Sequence, residues 1–485
     1  MMRRFTGTIM ACFIGSLGLA SSADDSQATE HLAARIDTYL AAGVSEGFSG
    51  AILVAKAGTV IINKGYGVAN KENNTLNTPT TVFDIGSNTK QFTGAAILKL
   101  VQFKKLALTD PLGKFFENLP EDKKNITVHQ LLTHTAGFKE AIGRDFQSIS
   151  ETAYFEKLFA SKLLHEPGST YSYANTGYSV LGRIIELVSG QGYEAFLNKH
   201  LFAPAGMQQT GYLLPKWNKA DLARGYTRGI IDRGATVTRY AEDGDINWHL
   251  KGNGGINSTQ EDMYKWIKAL KANTVLPKAL FAQYTSPYTV GYGYGWGISK
   301  SKADTKRVTH NGSNSAFDHS IIWYPKEDLL ILFANNSSSP QVERIAYTVE
   351  KMIHDDHFQA EPIKKNPYLL VFDFMKHHEA RDSKELLSQI KTAYPSGFPS
   401  DVLNRMGNMN VERDTAWAIA LFEINVQQFP KDGNLWDSLG DGYLMNKQPG
   451  LAKTSYEKAL ALKPETDCFW CENSSKKLRQ LKAGK

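Results

Sequence analysis

The chain has 485 residues, 42% of them hydrophobic and 21% charged, and its 55 basic and 49 acidic side chains leave a formal net charge of +6. That apolar content excludes a disordered chain and supports a large core in at most about three domains. So small a positive surplus, with no basic run interleaved with aromatics, gives no footing for nucleic acid, and three cysteines cannot build a disulfide framework.

Arg3 and Arg4 precede an apolar stretch over 5–20, and Ser21-Ser22-Ala23 follows. This is the three-part pattern of a secretory signal over 1–23, with cleavage after Ala20 or Ala23, and Cys12 would leave with it. No other stretch reaches 18 apolar residues, so no stable membrane span is expected after its removal. The expected location is therefore outside the cytoplasm, periplasmic or secreted.

Two β-branched, glycine-punctuated runs at 51–55 and 59–66 predict a hairpin turning at Ala57-Gly58, and a second hairpin is expected at 319–324 and 329–334. Between them the pattern is helical, at 89–104 and 178–189. Ser258-Thr259-Gln260-Glu261 reads as a capping box ahead of a helix through Leu270. Hairpins enclosing a helical insertion imply an α/β domain over 24–354, an antiparallel sheet flanked by helices, closed by a helix over 341–354.

Residues 355–400 are charged and proline-bearing and read as a helical connector. Beyond it, Trp436-x2-Leu439-Gly440-x2-Tyr443, Ala452-x3-Tyr456-x2-Ala459 and Pro464 match the tetratricopeptide pattern, and Ala418, Phe422 and Pro430 stand 34 residues earlier. The first helix of that earlier unit, around 403–409, fits poorly. An all-α tetratricopeptide-type domain is expected over 401–485, capped by a helix over 473–481 and packed against the main domain, since two repeats are few for independent stability. Cys468-Phe469-Trp470-Cys471 is consistent with a local disulfide or inert pair, a metal or partner contact, or redox chemistry.

The chain has no Gly-x-Ser-x-Gly elbow, His-Glu-x-x-His helix, P-loop or dinucleotide fingerprint. Ser87-Asn88-Thr89-Lys90 places a hydroxyl and an amine one turn apart at a helix start, where a desolvated lysine can take the hydroxyl proton. Ser-x-x-Lys also occurs at Ser299, Ser388, Ser455 and Ser474, but only the Ser87 copy sits between a short extended run and a long apolar helix. Tyr173-Ala174-Asn175 offers a phenol that becomes a base when a cation such as Lys90 stabilises its phenolate, and an amide suited to orienting Lys90 and substrate. In Val308-Thr309-His310-Asn311-Gly312-Ser313, Gly312 would let substrate approach a strand edge. His310 would lend charge or a hydrogen bond opposite Lys90, and the Ser313 N–H would join that of Ser87 in an oxyanion hole. No metal or organic cofactor is implied. The segments 139–165 and 211–253 are expected to shape the pocket, with Tyr226, Trp248 and Tyr292 as candidate lining.

In this order the motifs resemble the serine β-lactamase and penicillin-binding-protein superfamily, specifically its class C-like branch of β-lactamases, D-alanyl-D-alanine carboxypeptidases, D-aminopeptidases and esterases. The resemblance spans 33–354 and rests on Phe83-Asp84-Ile85-Gly86-Ser87-Asn88-Thr89-Lys90, Leu131-Leu132-Thr133-His134-Thr135-Ala136-Gly137, Tyr171-Ser172-Tyr173-Ala174-Asn175 and His310-Asn311-Gly312, with Gly254-Gly255 similar to the family's loop beside the site. It implies a β-lactamase/transpeptidase-like fold and two-step acyl transfer through Ser87, with Lys90 and Tyr173 shuttling protons and Asn175, His310, Gly312 and Ser313 holding substrate. His134 is read as structural. The absence of a Lys-Thr-Gly third motif favours peptidase or esterase members over efficient antibiotic hydrolysis. The expected partners are a small-molecule or peptide substrate and a protein at the repeat module. The rival reading is a weak or inactive hydrolase-derived binding protein that works through its repeats.

Overall fold

The computed structural model of the protein describes residues 17–338 and 342–483. Residues 1–16, which hold most of the expected export signal, lie outside the described residues. The helix Leu17–Val44 runs through both expected cleavage points. No described helix is long and apolar enough to cross a membrane.

Both expected hairpins form, and they meet in one six-stranded sheet. Its strands are β1 (Gly50–Lys56), β2 (Thr59–Tyr66), β3 (Gly297–Lys300), β4 (Lys306–Ser313), β5 (Asp318–Tyr324) and β6 (Leu329–Asn335). Their order is β2-β1-β6-β5-β4-β3, antiparallel throughout, with Leu53 opposite Leu332 and His310 opposite Ile321. The central strands are apolar on both faces because both are covered. Ile52, Val54, Ile331 and Phe333 pack with Ile36, Leu40, Ile345 and Val349 of the first helix and of Val342–His354. Leu53, Leu330, Leu332 and Trp323 face the opposite core, which contains Phe92, Leu98, Met263 and Trp266. Each such side chain contributes about 1.5–3 kcal/mol on burial.

Helices Thr89–Gln102 and Gln260–Lys271 match their expected places. The cap of the second is one residue later than expected. Thr259 accepts from the Asp262 N–H, while Ser258 belongs to a two-residue bridge with Phe83 and its hydroxyl pairs with Thr210. Strands β3 and β4 were not foreseen. In β4 the buried members of the alternation are Val308, His310 and Gly312, so the period of two is present without a hydrophobic signal.

The C-terminal region is helical from Pro367 onward, through Pro367–His377, Ser383–Ala393, Ser400–Asn410, Thr415–Gln428, Gly433–Met445, Pro449–Ala461 and Cys471–Lys482. The expected 355–400 connector is no separate link. Tyr368, Phe374, Leu386 and Ile390 share a core with Leu403, Met406, Trp417 and Leu421. The poorly fitting helix around 403–409 forms for a reason visible one hairpin later. Gly407 abuts the Phe422 ring as Gly440 abuts Tyr456, each leaving no room for a Cβ. This region docks on the main domain where Asn366 donates to the Arg228 carbonyl at 3.1 Å and the Arg228 guanidinium stacks 5.2 Å from the Tyr368 ring. Cys468 and Cys471 form a disulfide, so that pair is a local cross-link.

Candidate active site

The site begins with a short turn. Asp84 ends a two-residue strand and accepts the Gly86 N–H at 2.7 Å, Gly86 takes φ +52°, and the 3-10 turn Gly86–Asn88 leads into helix Thr89–Gln102. Asn88 donates to Ile85 O and Gly86 to Asp84, which leaves the Ser87 N–H without a partner inside the turn. Strand β4 passes so close that a Cβ on Gly312 would lie 2.0 Å from Ile85 O and 2.8 Å from Ser87 N. The missing side chain of Gly312 therefore admits the Ser87 turn. A Cβ on Gly86 would in turn meet Ser313 N at 2.7 Å, so the Ser87 and Ser313 main-chain amides border one spot.

Lys90 is fully buried, and its Nζ lies 2.7 Å from Asn175 Oδ1, 2.7 Å from the Asn253 carbonyl and 3.1 Å from Ser87 Oγ. Burial pulls its ammonium well below the ordinary lysine range, with Asp145 and Glu140 offsetting this only in part. A neutral amine has two N–H donors and one lone pair. In that form the two carbonyl-type oxygens would take the donors and leave the lone pair for Ser87.

Asn175 is the first residue of helix Asn175–Ser189, which begins three residues earlier than expected. Tyr173, just before it, hydrogen-bonds Ser87, and its ring lies 4.8 Å from Lys90 Nζ. Desolvation raises the Tyr173 phenol far above its usual range. That desolvation works against the expected phenolate and favours the protonated phenol. His134 is structural, as read. Its Nδ1 accepts from the Ala174 N–H at 3.0 Å and its ring lies 4.3 Å from that of Tyr173.

Of the two roles expected for His310, a charge or a hydrogen bond, the geometry favours the second. Its Nδ1 donates to the Asn311 carbonyl at 2.7 Å, so Nε2, 3.1 Å from the Tyr292 hydroxyl, accepts. Burial above all pulls His310 down to about 3. It is neutral, supplies no charge, and holds Tyr292. Of the candidate lining aromatics only Tyr292 is at the site. Trp248 packs in the core against Tyr154 and Phe155, and Tyr226 accepts from the Lys71 N–H beside the helical region.

Sequence reasoning assigned no role to Asn253, whose signal was its position directly before Gly254-Gly255, or to Asp84. Asp84 is buried; its Oδ2 accepts from Asn314 Nδ2 at 2.7 Å, so one carboxylate ties the nucleophile turn to the chain just past Ser313. Desolvation pushes it up to about 6. Asn314 Oδ1 already accepts from Ala316 and Phe317, so Asp84→Asn would set one amide donor against another. That variant is expected to lose about 10- to 100-fold in kcat/KM, the worth of one hydrogen bond to a charged group. Its stability should also change with pH. The folded state holds the Asp84 proton more tightly than the unfolded chain, so wild-type stability declines as pH rises from about 4 through about 6. Thermal melts across that window should show the decline in wild type and not in the variant.

This geometry coincides with the comparisons to known proteins. A family model described as Beta-lactamase matches residues 32–351. The chain belongs to the beta-lactamase family. It is 28% identical over 313 residues to PbpX of Bacillus subtilis, which bears a penicillin-binding-protein name, covering 64% of this chain and 76% of that one. It is 29% identical over 331 residues to Protein flp of Staphylococcus aureus, where it spans only 64% of the relative's length and 64% of its own. The octameric penicillin-binding protein homologue of Pyrococcus abyssi superposes with TM-score 0.57 and 26% identity, over 71% of this chain and 82% of the other. Beta-lactamase-family members are serine hydrolases of the penicillin-binding-protein type, and the fold here is theirs.

Proposed function

We propose that the protein is an exported serine hydrolase that opens amide, β-lactam or ester carbonyls, with D-amino-acid peptides as a leading substrate class, through an acyl-enzyme on Ser87. The observation that carries this reading is the fully buried Lys90 amine, its Nζ within hydrogen-bond distance of Asn175 Oδ1, the Asn253 carbonyl and Ser87 Oγ, with burial favouring its neutral form. Ser87 Oγ would bond to the carbonyl carbon while its proton passes to Lys90 Nζ. The oxygen, now anionic, would sit between the Ser87 and Ser313 N–H groups, each such donor being worth about 3 to 4 kcal/mol. As the bond to the leaving group breaks, the proton would travel from Lys90 through the Tyr173 hydroxyl to the departing nitrogen or oxygen. Water would then enter by the same relay in reverse, releasing the acid and restoring Ser87. The tetratricopeptide assignment of the C-terminal helices, a protein partner there, and export are parts of the same proposal.

The test is to incubate the purified chain with nitrocefin, D-alanyl-D-alanine peptides, D-amino-acid amides and 4-nitrophenyl esters in parallel. Intact-mass spectrometry then looks for an adduct. One acyl group per chain with turnover of at least one substrate class is the expected result. A chain that neither acquires mass nor turns over any of them is a binding protein, and the proposal falls.

A further inference from the structure

A cleft of about 700 Å³ opens beyond Ser313, bordered by Asn314 and Ser315 and by Arg144, Arg233 and Arg239. The three arginines come from separate places: the loop after Gly137, the turn before Thr236, and helix Thr236–Asp243. Arg233 Nε donates to Thr227 Oγ1 at 3.1 Å, Arg239 donates to the Arg233 carbonyl at 3.2 Å, and the Arg239 guanidinium lies 4.3 Å from the Phe146 ring. These contacts position the Arg233 and Arg239 guanidiniums and neutralise neither. Among the described residues no carboxylate stands within ion-pair distance of any of the three, whereas Arg183, Arg224 and Arg307 are each paired. Among the described residues the one acid bordering the cleft is Asp145, which is in no ion pair with the three arginines. A concave wall with three planar cations that no described carboxylate pairs is suited to an anion, and guanidinium is matched to carboxylate.

The cleft also has a side. The proton-returning phenol Tyr173 lies with His134, Tyr292 and His310, toward the earlier end of the β4 motif, and the arginines lie past its other end at Ser313. With the reacting carbonyl oxygen between Ser87 N–H and Ser313 N–H, the leaving group faces Tyr173 and the acyl remainder runs toward Asn314. We propose that the acyl portion of the substrate carries a carboxylate, held in this cleft by Arg144, Arg233 and Arg239. The inference rests on the acyl-transfer reading and specifies its substrate.

Two esters with one leaving group test it on the full chain: 4-nitrophenyl hexanoate and mono-4-nitrophenyl adipate, which differ by a terminal carboxylate. The adipate should show a kcat/KM at least about tenfold above the hexanoate, as one charge-assisted contact gives. The ratio should fall to parity in Arg144→Gln/Arg233→Gln/Arg239→Gln and persist in the corresponding triple lysine variant, which controls for folding. Parity in wild type overturns the proposal while leaving acyl transfer intact. Should neither ester turn over, acyl transfer fails instead, and binding of adipic acid monoanilide against hexanoic anilide to Ser87→Ala, read by calorimetry, still decides the cleft. Tighter binding of the anilide bearing the carboxylate, lost in the added triple glutamine variant, sustains the proposal, and equal binding sinks it.

Discussion

Ser87→Ala is expected to lower kcat/KM by about 10⁵-fold or more and to abolish the mass adduct, since it removes the oxygen on which the proposed acyl-enzyme forms. The loss should be purely chemical. Lys90 keeps Asn175 Oδ1 and the Asn253 carbonyl as acceptors, so the truncated site orphans no N–H group. Ser87 is only partly buried, and its side chain contributes little packing. Stability should therefore stay within about 0.5 kcal/mol of wild type by thermal melt. A well-folded variant that retains more than about a hundredth of the activity would assign the nucleophile elsewhere, because shared-proton machinery does not survive loss of its attacking atom.

How far the sequence reached depends on which signal each element carried. The two expected hairpins were legible because β1, β2, β5 and β6 carry runs of Ile, Leu and Val, and because glycine or an acidic turn separates their strands. The Ser87 and Lys90 pair was legible because a helix fixes the i, i+3 relation, and Asn175 falls within reach of Lys90 as its motif suggests. Strand β4 was not legible as a strand, since His310 and Gly312 occupy its buried positions for site geometry and not for burial of apolar area. Nor could a linear motif reveal protonation. Whether His310 and Tyr173 carry charge is settled by desolvation and by Tyr292, which comes from a different segment. The connector was legible as helical, but its docking was not, for the opposite reason. Its charged, proline-bearing text is the outer surface of helices whose inner faces, Tyr368, Phe374, Leu386 and Ile390, complete a core with residues further along the chain.

Lys90→Met is the sharper test of mechanism, because it keeps an unbranched side chain of similar length while removing the lone pair. It is expected to lower kcat by about 10⁴-fold, the upper range for a positioned general base, with Ser87 still present. Lys90→Arg should be as inactive, since guanidinium stays protonated at any accessible pH. In wild type the acid limb of the rate profile reports the amine losing its proton, and burial places that limb below the ordinary lysine range. The residual activity of Lys90→Met should lack it. Stability carries the same signature. Between the depressed native value and about 10.4 the unfolded chain binds the Lys90 proton and the native chain does not, so wild-type stability rises with pH across that interval. Lys90→Met should lose this slope, although it leaves Asn175 Oδ1 and the Asn253 carbonyl without their donor, at about 1–3 kcal/mol each. Denaturant titrations of both proteins at several pH values read slope and offset separately. An unchanged slope would mean that the native amine is charged, and a charged Lys90 cannot accept the proton of Ser87.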